Sequence, residues 1–449
     1  MRILLISPVK SSQLSRKTPG SIRFPMVSLL YLAGLTPPEH QVSLLEEETE
    51  ELDFGADCDL VGISTMTATA SRAYAIADEF RRRGKIVVMG GVHTSVLPDE
   101  ARPHCDAVVV GEAEPVWGPI LADAQRGTLK PVYRAGTDWS LDDYPLPRRV
   151  PGHSSVVLGV VPVVTSRGCP YACEFCCVRS VFGQKIRHVD VARVVQDIQA
   201  SGSRRVMFLD DNIVGDQAYA TRLFEAIRPL GLQWVGQASI SFVRNRELLQ
   251  LAARSGCKGL FIGFESVGKT KIERMKKSMK TLSDTEEAVR RLHDFGIHIH
   301  ASLVFGFDSD DPSIFDQTLE FLHRTRMSSV TFNILTPYPG TDLYAQLDAE
   351  GRLLTRNWDF FDHCTPNFLP RNMSVEELYE GYFRVKKSFL SMASVAYRFP
   401  ANVKAPLLYL LANIGMKMDL RQERSLIDRR TAAMRQASPE GASLAIPSP

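Results

Sequence analysis

From residue 161 onward the chain repeats one unit: a short apolar run followed by an amphipathic helical stretch. Apolar runs at 161–165, 205–210, 233–238, 259–264, 298–305 and 329–335 alternate with helical patterns at 191–200, 218–229, 246–255, 284–295 and 313–324. Strands apolar on both faces must be covered by helices, and parallel strands need a crossover, which is right-handed almost without exception. Six such units predict a partial (β/α)6 TIM-like barrel, with its chemistry at the carboxyl ends of the strands. Gly202, Gly231, Gly256 and Gly296 stand just before the next strand, where a left-handed residue closes the preceding helix.

A second series precedes it. Apolar runs at 2–7, 41–46, 60–65, 85–91 and 107–111, with a helix at 71–83 closed by Gly84, predict a doubly wound parallel sheet. The α/β chain therefore divides into a sheet domain over 1–125 and a linker over 126–155 carrying Pro131, Pro145, Pro147 and Pro151. A barrel over 156–370, a helical region over 371–421 and a frayed polar tail over 422–449 follow. The 449 residues hold 53 basic against 51 acidic side chains, too even a balance to collect nucleic acid, and none is expected as partner. The apolar run after Met1-Arg2 is too short for a signal peptide, and no run of 18 apolar residues occurs, so a cytoplasmic protein is expected. The helical stretch 401–418 could touch a membrane or cover a greasy substrate; ordinary helix packing is the preferred reading.

Four of the eight cysteines fall within nine residues, in Arg167-Gly168-Cys169-Pro170-Tyr171-Ala172-Cys173-Glu174-Phe175-Cys176-Cys177. A disulfide scaffold spreads its cysteines, whereas a metal site concentrates them. The spacing C-x-x-x-C-x-x-C puts three thiolates on one loop after the first barrel strand. Three ligands leave one iron of a four-iron cluster open to a small molecule. A structural zinc would want a fourth ligand; Cys177 and His188 are the candidates, although adjacent cysteines point apart.

This pattern resembles the radical S-adenosylmethionine (SAM) superfamily, whose hallmark is the same three-cysteine spacing after the first barrel strand; the similarity covers about 161–365. The resemblance implies a [4Fe–4S] cluster on Cys169, Cys173 and Cys176, with SAM on the open iron. Phe208-Leu209-Asp210-Asp211-Asn212, Gly263-Phe264-Glu265-Ser266 and Gly306-Phe307-Asp308 match further segments of the family at strand ends. Asp210 and Asp211 are thereby expected at the methionine end of SAM, Glu265 near its ribose, and Gln237 and Ser239 at the third strand's end beside it. Met66, Met89 and Met207 read as core residues.

The amino-terminal series resembles the cobalamin-binding domain of one large branch of these enzymes. The matches are Gly62-Ile63-Ser64-Thr65, Gly90-Gly91-Val92-His93-Thr94 and Val109-Val110-Gly111-Glu112-Ala113-Glu114. Ser64, Thr65, Gly90, Gly91, His93, Thr94, Gly111 and Glu112 are the expected cobalamin contacts. Glycines let backbone approach a flat ligand closely. Mutase-type cobalamin domains carry an axial histidine after the first strand; here Ser7-Pro8-Val9-Lys10-Ser11 has none. His93 is accordingly expected as a loop contact rather than a cobalt ligand.

The resemblance implies a C-methyltransferase that moves a methyl group from SAM, through methylcobalamin, to an unactivated carbon of a small-molecule or lipid-like substrate. An electron donor such as flavodoxin or ferredoxin is implied with it. Relatives with the same architecture perform cyclisation, ring rearrangement or oxygenation from water, and no residue separates these outcomes. An RNA methylthiolase would need three ligands for a second cluster in the amino-terminal half, which holds only Cys58 and Cys105. Thr336-Pro337-Tyr338-Pro339-Gly340-Thr341 resembles a loop bordering the substrate entrance, and no motif gives Cys364 a role.

Overall fold

The computed structural model describes residues 1–10, 26–136, 139–143, 145–148, 159–268 and 281–437. Its first sheet contains β1 (Arg2–Ser7), β2 (Gln41–Glu46), β3 (Leu60–Ser64), β4 (Ile86–Gly90), β5 (Ala107–Val110) and β6 (Val132–Arg134). All pairings are parallel, in the order β2-β1-β3-β4-β5-β6. The order reverses beside β1, and ligands bind such sheets at the carboxyl ends next to the reversal. Both faces are covered. Ile3, Leu5 and Val109 pack on Leu29 and Trp117, while Leu4, Ile6 and Met89 pack on Ile76 and Phe80.

β6 corrects the linker expectation. Three residues are too few to show a period, yet Tyr133 is buried and β6 extends the sheet beyond β5. Pro145, Pro147 and the rest of the linker lack helix or strand where described, and Pro151 lies outside the described residues.

The second half supplies β7 (Val161–Val163), β8 (Ser166–Arg167), β9 (Arg187–His188), β10 (Arg205–Phe208), β11 (Gln233–Ala238), β12 (Cys257–Glu265), β13 (His298–Phe305) and β14 (Ser329–Ile334). Six of them form an open parallel sheet in the order β14-β13-β12-β11-β10-β7, with helices between. β8 and β9 form a two-residue antiparallel ribbon outside it.

Two straps join the halves. Trp358 and Phe361, beyond β14, are inserted into the core of the first sheet's helix layer. Trp358 Nε1 donates to Glu100 Oε1 at 2.6 Å. The other strap is ionic and belongs to the site. Helices Val375–Phe389, Met392–Arg398 and Pro406–Ala437 complete the fold.

The last helix overturns the expected tail from 422. Its polar residues are good helix formers, and they pair with Val375–Phe389: Tyr382 donates to Glu423 at 2.6 Å and Arg424 to Glu380 at 2.7 Å. Ile427 is buried beneath them. Residues 438–449 lie outside the described residues. Among the described residues no helix is long and apolar enough to cross a membrane.

Candidate active site

The cysteine loop is held at every step. Asp210 Oδ1, at the end of β10, accepts from Thr165 N (3.0 Å), Thr165 Oγ1 (2.8 Å) and Ser166 Oγ (2.7 Å). Asp211 accepts from Gly168 N at 3.1 Å. Gly168 has φ +91°, and a Cβ there would lie 2.6 Å from the Lys185 carbonyl oxygen; only glycine lets the two ends of the loop close. Further along, Glu174 O accepts from Leu343 N at 3.0 Å, and Phe175 meets Phe307 edge-on at 5.7 Å. Cys169 is buried, and Cys173 and Cys176 are half-buried.

These thiols suit a cluster better than a single ion. A structural zinc draws four protein ligands to about 2.3 Å around one point, whereas this loop offers three thiols at the C-x-x-x-C-x-x-C spacing. A four-iron cluster takes each thiolate on a different iron, so a fourth protein ligand is not required. Of the two alternative zinc ligands, His188 is engaged elsewhere. His188 stacks on Tyr219 and bonds Asp216 at 3.1 Å, and burial raises the pKa of Cys177.

The barrel interior is lined by alternate strand residues. Met207, Gln237, Phe261, His300, Ser302 and Asn333 are all partly open, whereas their strand neighbours are buried. Burial lowers the pKa of His300 to about 4, and the ring stacks on Phe261 at 5.3 Å. Glu265 ends β12 at φ +64°, across a bulge, with its carboxylate curled where a Cβ on Gly263 would be. A left-handed glutamate costs backbone energy and marks functional sites.

Opposite this mouth lie the carboxyl ends of β3, β4 and β5. Ser64, Gly90, Gly91, Gly111 and Glu112 are partly open, and Met66 is 52% exposed. Gly91 has φ +101°, and a Cβ would stand 2.6 Å from both N and O of Thr65. The Thr65 hydroxyl, just beneath, has no partner among the described residues. This glycine-floored surface with an orphaned hydroxyl and an exposed methionine fits a broad, flat ligand.

The ionic strap crosses between the two surfaces. Arg167 and Arg187, paired across β8 and β9, flank the cysteine loop. Arg167 donates to Glu112 at 2.6 Å and also to Glu114, while Arg187 takes the other oxygen of Glu112. Trp139 lies under both guanidinium groups.

Comparison with known proteins agrees with this arrangement. The family model for the Radical SAM superfamily matches residues 163–322, and that for the B12 binding domain matches 29–117. Bacteriochlorophyllide d C-12(1)-methyltransferase of Chlorobaculum tepidum is 32% identical over 88% of either chain. The chain belongs to the cobalamin-dependent radical SAM methyltransferases. Bacteriochlorophyllide d C-8(2)-methyltransferase of the same organism is 28% identical over 75% of this chain and 79% of its own. Hopanoid C-2 methylase of Rhodopseudomonas palustris is 26% identical over 74% and 65%. The fold is shared with the radical SAM methyltransferase TsrM of Kitasatospora setae (TM-score 0.63, 18% identity, 78% of each chain). It is also shared with the cobalamin-dependent enzyme OxsB (TM-score 0.65, 14% identity, 99% of this chain and 77% of that one).

The cofactors of this methyltransferase are thus a [4Fe–4S] cluster, SAM and cobalamin, and several sequence expectations about their contacts change. Asp210 is fully buried and supports the start of the cysteine loop instead of facing the mouth. Glu112 spends both oxygens on arginines. His93 and Thr94 are sealed at 0% exposure, as is Thr65. His93 Nδ1 pairs with Thr67 and Nε2 with Tyr74 and Glu100, and burial lowers its pKa. In this arrangement both ring nitrogens are taken up by protein partners beneath the cleft.

Met66 leaves the core for the cleft, and Met207 lines the barrel, whereas Met89 is buried as expected. Ser239 is drawn aside by Asn212, whose Oδ1 accepts from Ser239 N at 3.1 Å. Sequence reasoning missed His363. This residue sits at φ +67°, with its carbonyl accepting from Ile334 N at the end of β14. The Tyr338 hydroxyl donates to Phe361 O at 3.1 Å, so its contact with His363 Nε2 at 2.9 Å needs the imidazole proton there. That leaves Nδ1 as the open acceptor. The ring is reached by solvent yet surrounded by protein, and desolvation lowers its pKa to about 4.

Proposed function

We propose that this enzyme methylates a carbon on the periphery of a tetrapyrrole. The observation that carries this reading is that a bacteriochlorophyllide methyltransferase aligns with the chain along nearly its whole length. Cys169, Cys173 and Cys176 would hold the cluster, and Asp211, Gln237 and the Gly263–Glu265 turn would border SAM. Ser64, Met66, Gly90, Gly91 and Gly111 would floor the cobalamin surface, with the Thr65 hydroxyl beneath it. When bound, these groups supply the radical and the methyl carrier.

The chain's own work is placement and exclusion of water. Asp210, Asp211 and Gly168 fix the cysteine loop. The strap through Glu112 holds that loop against the cobalamin surface, and Phe261, His300, Ser302 and Asn333 line the space between. Neutral His300 and His363 present hydrogen-bonding atoms without a charge, which suits a largely apolar macrocycle with polar substituents. A flavodoxin or ferredoxin would deliver the electron.

The test is incubation of reconstituted, reduced enzyme with methyl-labelled SAM and, in parallel, a chlorophyllide or a hopanoid. Label in the macrocycle supports the reading. Deoxyadenosine formation with label passing instead to a hopanoid would replace it, and turnover of SAM without methylation of either would overturn it.

A further inference from the structure

Every large apolar side chain that stands exposed among the described residues, Met66 excepted, lies between Met392 and Met418. On the last helix these are Leu407, Leu410, Leu411, Ile414 and Met418, between 39% and 74% exposed. Their spacing of three, four, seven and eleven residues from the first makes one stripe about 16 Å long. Met392, Tyr397 and Val403 widen it from the preceding turns.

Packing does not claim this stripe, because the opposite face is already committed. Tyr409 is fully buried, with its hydroxyl on Val395 O at 2.7 Å. Asn413 donates to Ser328 O at 2.9 Å and accepts from the buried Arg398 at 3.0 Å. Rolling the helix to hide the leucines would break these bonds and bury polar groups unpaired.

The charge within the segment that bears the stripe is one-sided. From Met392 to Met418 the sequence contains no Asp or Glu, while Lys404 and Lys417 are exposed. A second copy of the chain would bring these same cations together across the face. An anionic lipid surface complements both the apolar stripe and its lysines. We infer that this face docks the enzyme on an anionic phospholipid surface, lying in the interface rather than crossing it. The segment leading into the helix, and the helix itself, pack over the amino ends of the barrel strands: Arg398 donates to Met327 O, Lys404 to Asp294 O and Asn413 to Ser328 O, just before β14 and β13. The docked face is therefore opposite the cysteine loop, and the inference is independent of which substrate is methylated.

The test is co-sedimentation of the reconstituted full chain with vesicles of phosphatidylcholine alone or mixed with phosphatidylglycerol. Binding to the mixed vesicles is expected, and Leu407→Glu/Leu411→Glu should weaken it about tenfold or more. Lys404→Gln/Lys417→Gln should remove the preference for anionic lipid. Iron content and SAM cleavage of both variants, measured in solution, should equal those of the parent, which separates lost docking from misfolding. Absence of binding to anionic vesicles, or equal binding by parent and leucine variant, would overturn the inference. So would a concentration-dependent dimer in sedimentation analysis that the leucine variant abolishes.

Discussion

Glu112 and Arg167 meet at 2.6 Å across the two halves of the molecule, one at the end of a cobalamin-side strand and the other two residues ahead of Cys169. Both side chains are largely buried, and Arg187 shares the carboxylate. Removing one partner of a buried pair costs about 3–5 kcal/mol, because the other charge is left unpaired. Glu112→Gln should therefore lower the stability of the holoenzyme by a few kcal/mol in denaturant titration. It should also move the cluster midpoint potential positive in redox potentiometry, since an uncompensated cation is left beside the loop.

The three loop thiols should separate sharply from Cys105 and Cys364. Burial pushes Cys105 and Cys364 up to about 12, so they remain protonated and unreactive at neutral pH. Alanine at Cys169, Cys173 or Cys176 should abolish cluster absorbance and SAM cleavage together. Cys105→Ala and Cys364→Ala should keep both, as read by iron content and deoxyadenosine yield.

Asp210 predicts a pH signature. Burial, the largest influence, lifts its pKa from 3.8 to about 6 against the opposing hydrogen bonds of Ser166 and Thr165. A carboxylate raised on folding favours the folded state while protonated, below the unfolded value near 4. That advantage is lost as pH rises through 6, at a cost of up to about 3 kcal/mol. Asp210→Asn keeps an acceptor for the three donors. Its stability relative to the parent should improve by roughly 2–3 kcal/mol between pH 4 and pH 7, measured by urea unfolding at each pH.

Gly91→Ala places a Cβ against Thr65 at a left-handed backbone position. The two strand ends must spread, so bound cobalamin should fall by about tenfold in affinity, a change of about 1.4 kcal/mol, while iron content stays at the parental level. Equal cobalamin retention would place the ligand elsewhere.

His363→Ala removes the open acceptor at the barrel mouth without touching the cysteine loop. The substrate KM should rise by about tenfold, with SAM cleavage in the absence of substrate unchanged.

How much of this could be read from the sequence depends on whether the cause is local. The alternating runs gave the barrel strands because burial follows the strand period, and the cysteine loop is one contiguous motif. Glu112 was misread because its partners lie 55 and 75 residues away, and at the end of a strand a carboxylate looks the same whether it faces a ligand or an arginine. Thr65, His93 and Thr94 carry the residue types of a ligand surface, yet a half-turn of backbone decides which of them face it, as Met66 and Ser64 do. Gln422 to Ala437 reads as a solvated tail until the facing charges of Val375–Phe389 are known.

The place of Trp358 also bears on how the protein is made. The amino-terminal sheet leaves the ribosome first, but the tryptophan that bonds Glu100 follows it by 258 residues. Until Trp358 and Phe361 emerge, that half carries an open hydrophobic notch beside His93. A nascent chain stalled in the barrel is thus an unfinished protein at both ends, and the early half is the part a chaperone would have to shelter longest.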